Sequence, residues 1–329
     1  MSIPLTIPPS KKHQSFLWSP ICTDLNNLNA HIAILGIPFG QAYSADHISN
    51  DQSRAPDAIR AMSDRICRQL HHYDFDVGGP VYDNRDLKVI DVGNVFADPT
   101  DLSSHSVRTE QAVRKILAAG AMPVILGGDH GIPIPVLRAY DDYGPITLIH
   151  VDAHLDWRDD VNGVREGLSS PIRRASEMAH IGEIFQLGLR AQGSGRPEEY
   201  DAAIAYGAHI YTAYDIHDNG IESVIDAIPD GGRYYLTIDA DGLDPSIMPG
   251  VAGPALGGLT YIQMRKLIHG LVKKGRVVGM DIVEICPSLD VNNISCITAG
   301  RLIVNLIGSA VRANYFDAPS IFTNSDLLR

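Results

Sequence analysis

The chain has 329 residues, 45% of them hydrophobic, enough for a sizeable core in one large α/β domain or two ordinary ones. Its 27 Lys and Arg stand against 39 Asp and Glu, a formal charge of -12, and no basic cluster tracks a phosphate backbone, so nucleic acid is not an expected partner. Cys22, Cys67, Cys286 and Cys296 are widely spaced with no C-x-x-C pair; the first residues lack an apolar signal core, and no later run of about 18 apolar residues spans a bilayer. A reducing, cytoplasmic setting without a membrane partner is the expectation.

In chain order, residues 1–25 read as an N-terminal arm. Short, β-branched-rich apolar runs follow at 31–37, 87–92, 122–126, 146–151, 184–189, 209–211, 234–238 and 277–285. Between the second and third lies SVRTEQAVRKILAAG, whose spacing predicts a helix with Val113, Ile116, Leu117 and either Val107 or Ala112 inward, stopped by Gly120. Before the last run, TYIQMRKLIHGLVKKG predicts a helix capped by Thr260, with Met264, Leu267, Ile268, Leu271 and Val272 as its apolar stripe and Gly275 as its stop. Residues 315–329 read as a C-terminal tail. Strand and helix alternate without a linker or composition break. The pattern predicts a single three-layer α/β domain over residues 1–329, with a mostly parallel eight-stranded sheet covered by helices on both faces.

In such sheets ligands bind beyond the carboxyl ends of the strands. Three strand ends carry chemistry: VILGGDH ends in Asp129 and His130; HVDAHLDW carries Asp152, His154 and Asp156 at every second position; YYLTIDADGLDP carries Asp239, Asp241 and Asp244. Two imidazoles and at least four carboxylates repel or desolvate one another unless a cation neutralises them. Oxygen and imidazole donors without thiolate suit a divalent ion such as manganese better than structural zinc. Four ionised carboxylates, Asp152, Asp156, Asp239 and Asp241, balance two divalent cations. Two such ions about 3.5 to 4 Å apart lower the pKa of a shared water, which makes metal-assisted hydrolysis the reaction class. Asp244, before Pro245, reads as a turn residue, and Asp129 as the residue that fixes the loop presenting His130.

The motifs GGDH at 127–130, DAHLD at 152–156 and DADGLDP at 239–245 resemble the ureohydrolase family of arginases and agmatinases. AILGIPFG, APDAIRAMS at 55–63 and MDIVEICP at 280–287 extend the resemblance over most of the chain. It implies an arginase-like fold and two manganese ions, with nickel as the alternative metal. One ion would be held by His130, Asp152, Asp156 and Asp239, the other by Asp152, His154, Asp239 and Asp241, with Asp152 and Asp239 bridging. It also implies that Glu284 receives a cationic guanidinium; Glu284 and Asp241, together with Glu166 from a segment that departs from the family, are the candidate catalytic residues. A homo-oligomer, trimer or hexamer, is implied on the same ground.

The sequence departs from the family where a His-Gly pair is expected about ten residues after the DAH motif. NGVREGLSSPIRRA places Glu166 before Gly167 instead, with His180 as a substitute elsewhere. A carboxylate there accepts hydrogen bonds from a cationic substrate or, if burial raises its pKa, serves the departing amine as an acid. Trp157, Arg158 and Arg165 on the same loop are candidates to pack on an aliphatic tail or pair with a substrate carboxylate. The expectation is hydrolysis of a small cationic guanidino compound to urea and an amine, agmatine by family default. Guanidinobutyrate, guanidinopropionate and small substituted guanidines or biguanides are alternatives, and arginine is less expected. A single-zinc deacetylase-like enzyme and a non-catalytic subunit are the readings from other classes.

Overall fold

The computed structural model describes residues 4–9, 15–44, 50–98 and 101–317. Among the described residues nine strands build one sheet: β1 (Thr6–Ile7), β2 (Ile32–Ile37), β3 (Val89–Val95), β4 (Met122–Gly127), β5 (Ile146–Val151), β6 (Ile181–Leu189), β7 (His209–Thr212), β8 (Arg233–Asp239) and β9 (Arg276–Val283). Their order is β1-β3-β2-β4-β9-β8-β5-β6-β7, parallel throughout except where β1 pairs with β3. The eight expected runs are the eight parallel strands. The ninth is β1, too short at two residues to show any alternation in sequence.

Nine α-helices are described: α1 (Ala55–Cys67), α2 (Leu102–Ala118), α3 (Pro133–Arg138), α4 (Pro171–Ala175), α5 (Pro197–Tyr206), α6 (Ala213–Asn219), α7 (Ile221–Ala227), α8 (Tyr261–Lys274) and α9 (Ile294–Arg312). The sheet separates two apolar cores. Ile32 and Ile34 of β2 join one with α1, α8 and α9, whereas Ala33, Leu35 and Ile37 join the other with α2 and α3, the period-two alternation of a strand covered on both sides. This gives the three-layer α/β domain, with one more strand than expected.

In α8 the expected stripe Met264, Leu267, Ile268, Leu271 and Val272 is buried, and Thr260 and Gln263 form a reciprocal capping box. Gly275 ends the helix for a different reason than a left-handed stop. Its φ of -170° is extended, and a Cβ there would lie 2.4 Å from the Gly232 carbonyl oxygen. In α2, Ala112 is buried and Val107 is exposed, which settles the inward position left open by spacing. Helix α9 corrects the expectation that nothing is long and apolar enough for a bilayer: 19 residues with a mean hydropathy of 1.6 pass that test. Gly, Ser, Thr and Asn break its apolar run in sequence, but 78% of its apolar window is buried in the protein, as a core helix packed between α1 and α8.

Part of the expected N-terminal arm is tied down. Phe16 is buried, and its amide donates to Asp91 Oδ2 at 2.8 Å, beside the bidentate pairing of Arg60 in α1 with the same carboxylate. Residues 1–3 and 10–14 of the arm, and 318–329 of the expected tail, lie outside the described residues. Cys22, Cys286 and Cys296 are free thiols.

The four strands whose ends carry the predicted site, β4, β9, β8 and β5, are neighbours at the middle of the sheet. The chain leaves β4 and enters the sheet again at β5, three positions away, and β8 and β9 later fill the two places between. That jump makes the crevice in which doubly wound sheets bind ligands.

Candidate metal centre

Strand β4 delivers His130 through a turn that glycine makes possible. A Cβ on Gly128 would sit 2.2 Å from the Pro38 carbonyl oxygen, so the exit loop of β2 can only approach a bare backbone. Asp129 then accepts from the amides of Gly40 at 2.7 Å and Gly131 at 3.0 Å, which holds both loops in place.

The run Asp152, His154, Asp156 is not the continued strand that its alternation suggests. Strand β5 stops at Val151, Asp152 Oδ1 accepts from the His154 amide at 2.7 Å, and Asp156 adopts a left-handed φ of 51°. The turn sends the side chains two ways. Asp156 Oδ2 lies 2.9 Å from His130 Nδ1, and His154 Nδ1 lies 3.2 Å from Asp241 Oδ2.

Two groups result. In the first, Asp152 Oδ2, Asp156 Oδ2 and Asp239 Oδ2 lie 3.2, 2.9 and 3.0 Å from His130 Nδ1. In the second, Asp152, His154 and Asp241 have donor atoms within 4.8 Å of one another. Asp152 spans both, with Oδ2 toward His130 and Oδ1 at 3.3 Å from His154 Nδ1. Asp239 Oδ1 accepts from the Asp241 amide at 2.9 Å, which ties the two groups together through β8.

The hydrogen-bond network fixes the role of His130. Thr237 donates its hydroxyl proton to Asp281 Oδ1 at 2.7 Å, so its Oγ1, 3.1 Å from His130 Nε2, must accept from that nitrogen. Nδ1 is left buried without a hydrogen-bond partner among three carboxylates. The lone pair of a neutral ring facing three anions is repulsive; a proton relieves this in the bare protein, and a bound cation takes the proton's place. The donor set, oxygens and imidazole with no thiolate, fits a divalent ion.

The electrostatics of the bare protein carry the same imprint. Burial and the negative neighbours Asp152 and Asp241 push the Asp239 carboxyl well up, and burial with Asp152 raises Asp156 and Asp241. Asp152 is also penalised by burial, but His130, His150 and His154 outweigh this and hold it well below the usual carboxylate range. Burial likewise opposes charge on His130, while Asp152, Asp156 and Asp239 drive its pKa up.

Glu284 follows β9 with a left-handed φ of 64°, a strained backbone for a non-glycine residue. Its Oε1 accepts from the His130 amide at 2.7 Å and its Oε2 from Gln52 Nε2 at 2.9 Å. Burial first, and then the charge of Asp129, push the carboxyl up to about 7.

Other expected residues lie differently. Glu166 pairs with Arg138 of α3, and both line a cavity of about 440 Å³ with Phe39, Gln41, His105 and Arg165. His180 Nε2 is 2.8 Å from the Leu137 carbonyl oxygen, away from the cluster. Trp157 is a core residue packed near Tyr206, not a surface for a substrate tail. Arg158 pairs with Glu199 and Arg165 with Asp159. Asp244 accepts from the amides of Ser246 and Gly257, the loop-orienting role that its place before Pro245 suggests.

Sequence reading missed His150, Thr237, Asp281 and Gln52. His150 Nε2 lies 2.8 Å from Asp152 Oδ2; the Gln186 amide donates to its other nitrogen, so Nε2 carries the proton and orients the carboxylate. Its signal was available: His150 precedes Asp152 by two residues in a strand and shares its face. Gln52 gave no signal, because only the fold brings it to Glu284.

Residues 30–308 match the family model described as the arginase family. The chain is 30% identical to the mitochondrial agmatinase of Gallus gallus, over 89% of this chain and 84% of that protein. It is 31% identical to the guanidinobutyrase of Pseudomonas aeruginosa, over 86% and 87%. A crystal structure titled as a hypothetical agmatinase from Burkholderia thailandensis superposes with a TM-score of 0.77 at 27% identity, covering 92% of this chain and 91% of the other. The chain therefore belongs to the arginase family. Members of this group are amidinohydrolases, which cleave C–N bonds of linear amidines.

Proposed function

We propose that this protein hydrolyses a small guanidino compound to urea and an amine, with two divalent ions held at the ends of β4, β5 and β8. His130, Asp152, Asp156 and Asp239 would hold one ion; Asp152, His154, Asp239 and Asp241 would hold the other. Manganese is the proposed metal and nickel its alternative, since these donors suit either. When bound, such ions activate water and offset the negative charge that develops as it adds to the guanidinium carbon. The observation that carries the reading is the orphaned His130 Nδ1 amid three carboxylates, next to a second His/Asp group that shares Asp152.

The protein's own residues do the positioning. Glu284, pinned by the His130 amide and Gln52, presents a fixed carboxylate to a planar cation, which charge-assisted hydrogen bonds suit. Asp241 and His154 form the polar wall at the β8 side, where Asp241 also faces the substrate. Glu166 acts at the entrance, where its pairing with Arg138 sets the charge that an incoming substrate tail meets. Agmatine is the first substrate to test; guanidinobutyrate, guanidinopropionate and small substituted guanidines follow. We place the enzyme in the cytoplasm as a trimer or hexamer, in keeping with its family resemblance.

A urea-release screen of these compounds and arginine, with manganese-loaded and nickel-loaded enzyme, tests the assignment. Urea from at least one guanidino substrate, with two ions per chain by elemental analysis, is expected. Absence of urea from every compound with either metal overturns it, and a single zinc with deacetylase activity replaces it.

A further inference from the structure

Arg190, just after β6, is a buried cation that none of the expected chemistry uses. Its guanidinium is satisfied by main-chain carbonyls: Gly188 at 2.9 Å, Gly242 at 3.2 Å, Ala255 at 2.8 Å, Leu256 at 3.0 Å, and Asp241. Two of these oxygens belong to Asp241 and Gly242, in the turn that carries one carboxylate of the second group. The Arg190 amide donates to the Ala153 carbonyl at 3.2 Å, in the segment between Asp152 and His154. One residue thus grips both pieces of chain from which the second group is made, by its backbone on one side and its side chain on the other.

The two pieces are in close register at that point. The Ala153 amide is 3.3 Å from Asp241 Oδ1, and a Cβ on Gly242 would meet the Asp152 amide nitrogen at 2.7 Å and Cα at 2.8 Å. Neutral carbonyls solvate the guanidinium, so its charge is not spent on a local ion pair and stands behind Asp241 and Asp152. The first group leans on this clamp only through the shared Asp152, which His150 also orients; His130 is held by Thr237 and by the turn after β4 that Asp129 fixes.

We propose that Arg190 is the positioning residue of the second metal group, clamping the Asp241–Gly242 turn against Asp152–His154 so that Asp152, His154 and Asp241 converge on one ion. This rests on the two-ion reading above. Lysine cannot replace it, because a single ammonium has too few donors in the wrong geometry to span five carbonyls.

Equilibrium dialysis against manganese with elemental analysis, alongside thermal unfolding, tests this on wild type, Arg190→Met and Arg190→Lys. Wild type is expected to bind two ions. Arg190→Met should retain one at wild-type affinity and weaken the other about 10–100-fold, the usual cost of losing an outer support of a metal ligand, with Arg190→Lys close behind. The low-temperature electron spin resonance of a coupled manganese pair should give way to that of an isolated ion. Gly242→Ala pushes the same turn off Asp152 while keeping the Arg190 side chain, so it should weaken the same ion more than the one at His130, and it decides the matter if Arg190→Met fails to fold. Wild-type affinity for both ions in Arg190→Met and Gly242→Ala, or parallel loss of both ions in step with the melting temperature, overturns the proposal and leaves the two-ion reading intact. Fewer than two ions on wild type overturns that reading itself.

Discussion

Glu284 shows how one side chain is tuned by its surroundings. Its carboxyl is raised to about 7 by burial and by Asp129, so it is neutral below that pH and charged above it. If the charged form grips a guanidinium, KM rises about tenfold per pH unit as pH falls below the pKa of this carboxyl, which bound cations draw down from about 7, while kcat at saturation changes less. Glu284→Gln should show a high KM with this limb flattened; a pH-independent KM in the wild type removes Glu284 from substrate binding. His150 and Thr237 act one step back from the candidate ligands. His150→Ala and Thr237→Val are each expected to weaken metal binding about 10–100-fold, read by competition with a chelator. For Glu166, tied to Arg138, the expected result of Glu166→Gln is a changed KM that depends on the charge of the substrate tail, with kcat nearly constant. The same kcat and KM for charged and neutral tails would show that the pair serves only the fold.

The elements were legible where a pattern repeats along the chain. The stripe of α8, the stop of α2 at Gly120 and the eight parallel strands all follow from periodicity and caps. The short β1, by contrast, exists only because β3 offers it an edge, and α9 reads as broken until its neighbours are in place. Helices α8 and α9 are joined by a polar network that no local pattern announces. Arg301 pairs with Asp74 at 2.6 Å and with Asp76, and Tyr261 and Asn305 also reach Asp76. Burial alone would raise both carboxyls, but Arg301 and, for Asp76, Tyr261 more than reverse it and hold them low. A lowered carboxylate adds stability that is present at neutral pH and lost as pH falls below about 4. Arg301→Met is therefore expected to cost about 1–3 kcal/mol in urea unfolding at pH 7. The gap from wild type should narrow by pH 3.5; an equal gap at both pH values counts against the ion-pair account.

At the scale of the whole molecule, the site is a property of strand order. Four neighbouring strands bring His130, Asp152, Asp239 and Glu284 to one crevice, and the buried carboxylates there repel one another without a cation. Removing divalent ions with a chelator should lower the melting temperature, and adding manganese back should restore it. At a concentration 100 times Kd, one site contributes about 2.7 kcal/mol. An unchanged melting temperature on chelation and readdition would mean that the cluster does not bind the ion in the folded state.

The alternation of strands and helices and the three ordered motifs can be read from the residues alone, because they depend on residue type and spacing within short segments. So can the departure at Glu166, since a missing His is visible without coordinates. It took the folded chain to turn Asp156 away from the strand line, to bring Glu166 to Arg138, and to bury Trp157 in the core. Those outcomes rest on left-handed backbone, on partners far along the chain and on which face a loop covers. Gln52 is 232 residues from Glu284, and their hydrogen bond arises only when the sheet sets α1's leading turn beside β9. The run HVDAHLDW names the donors; the order of β4, β9, β8 and β5 makes them a centre.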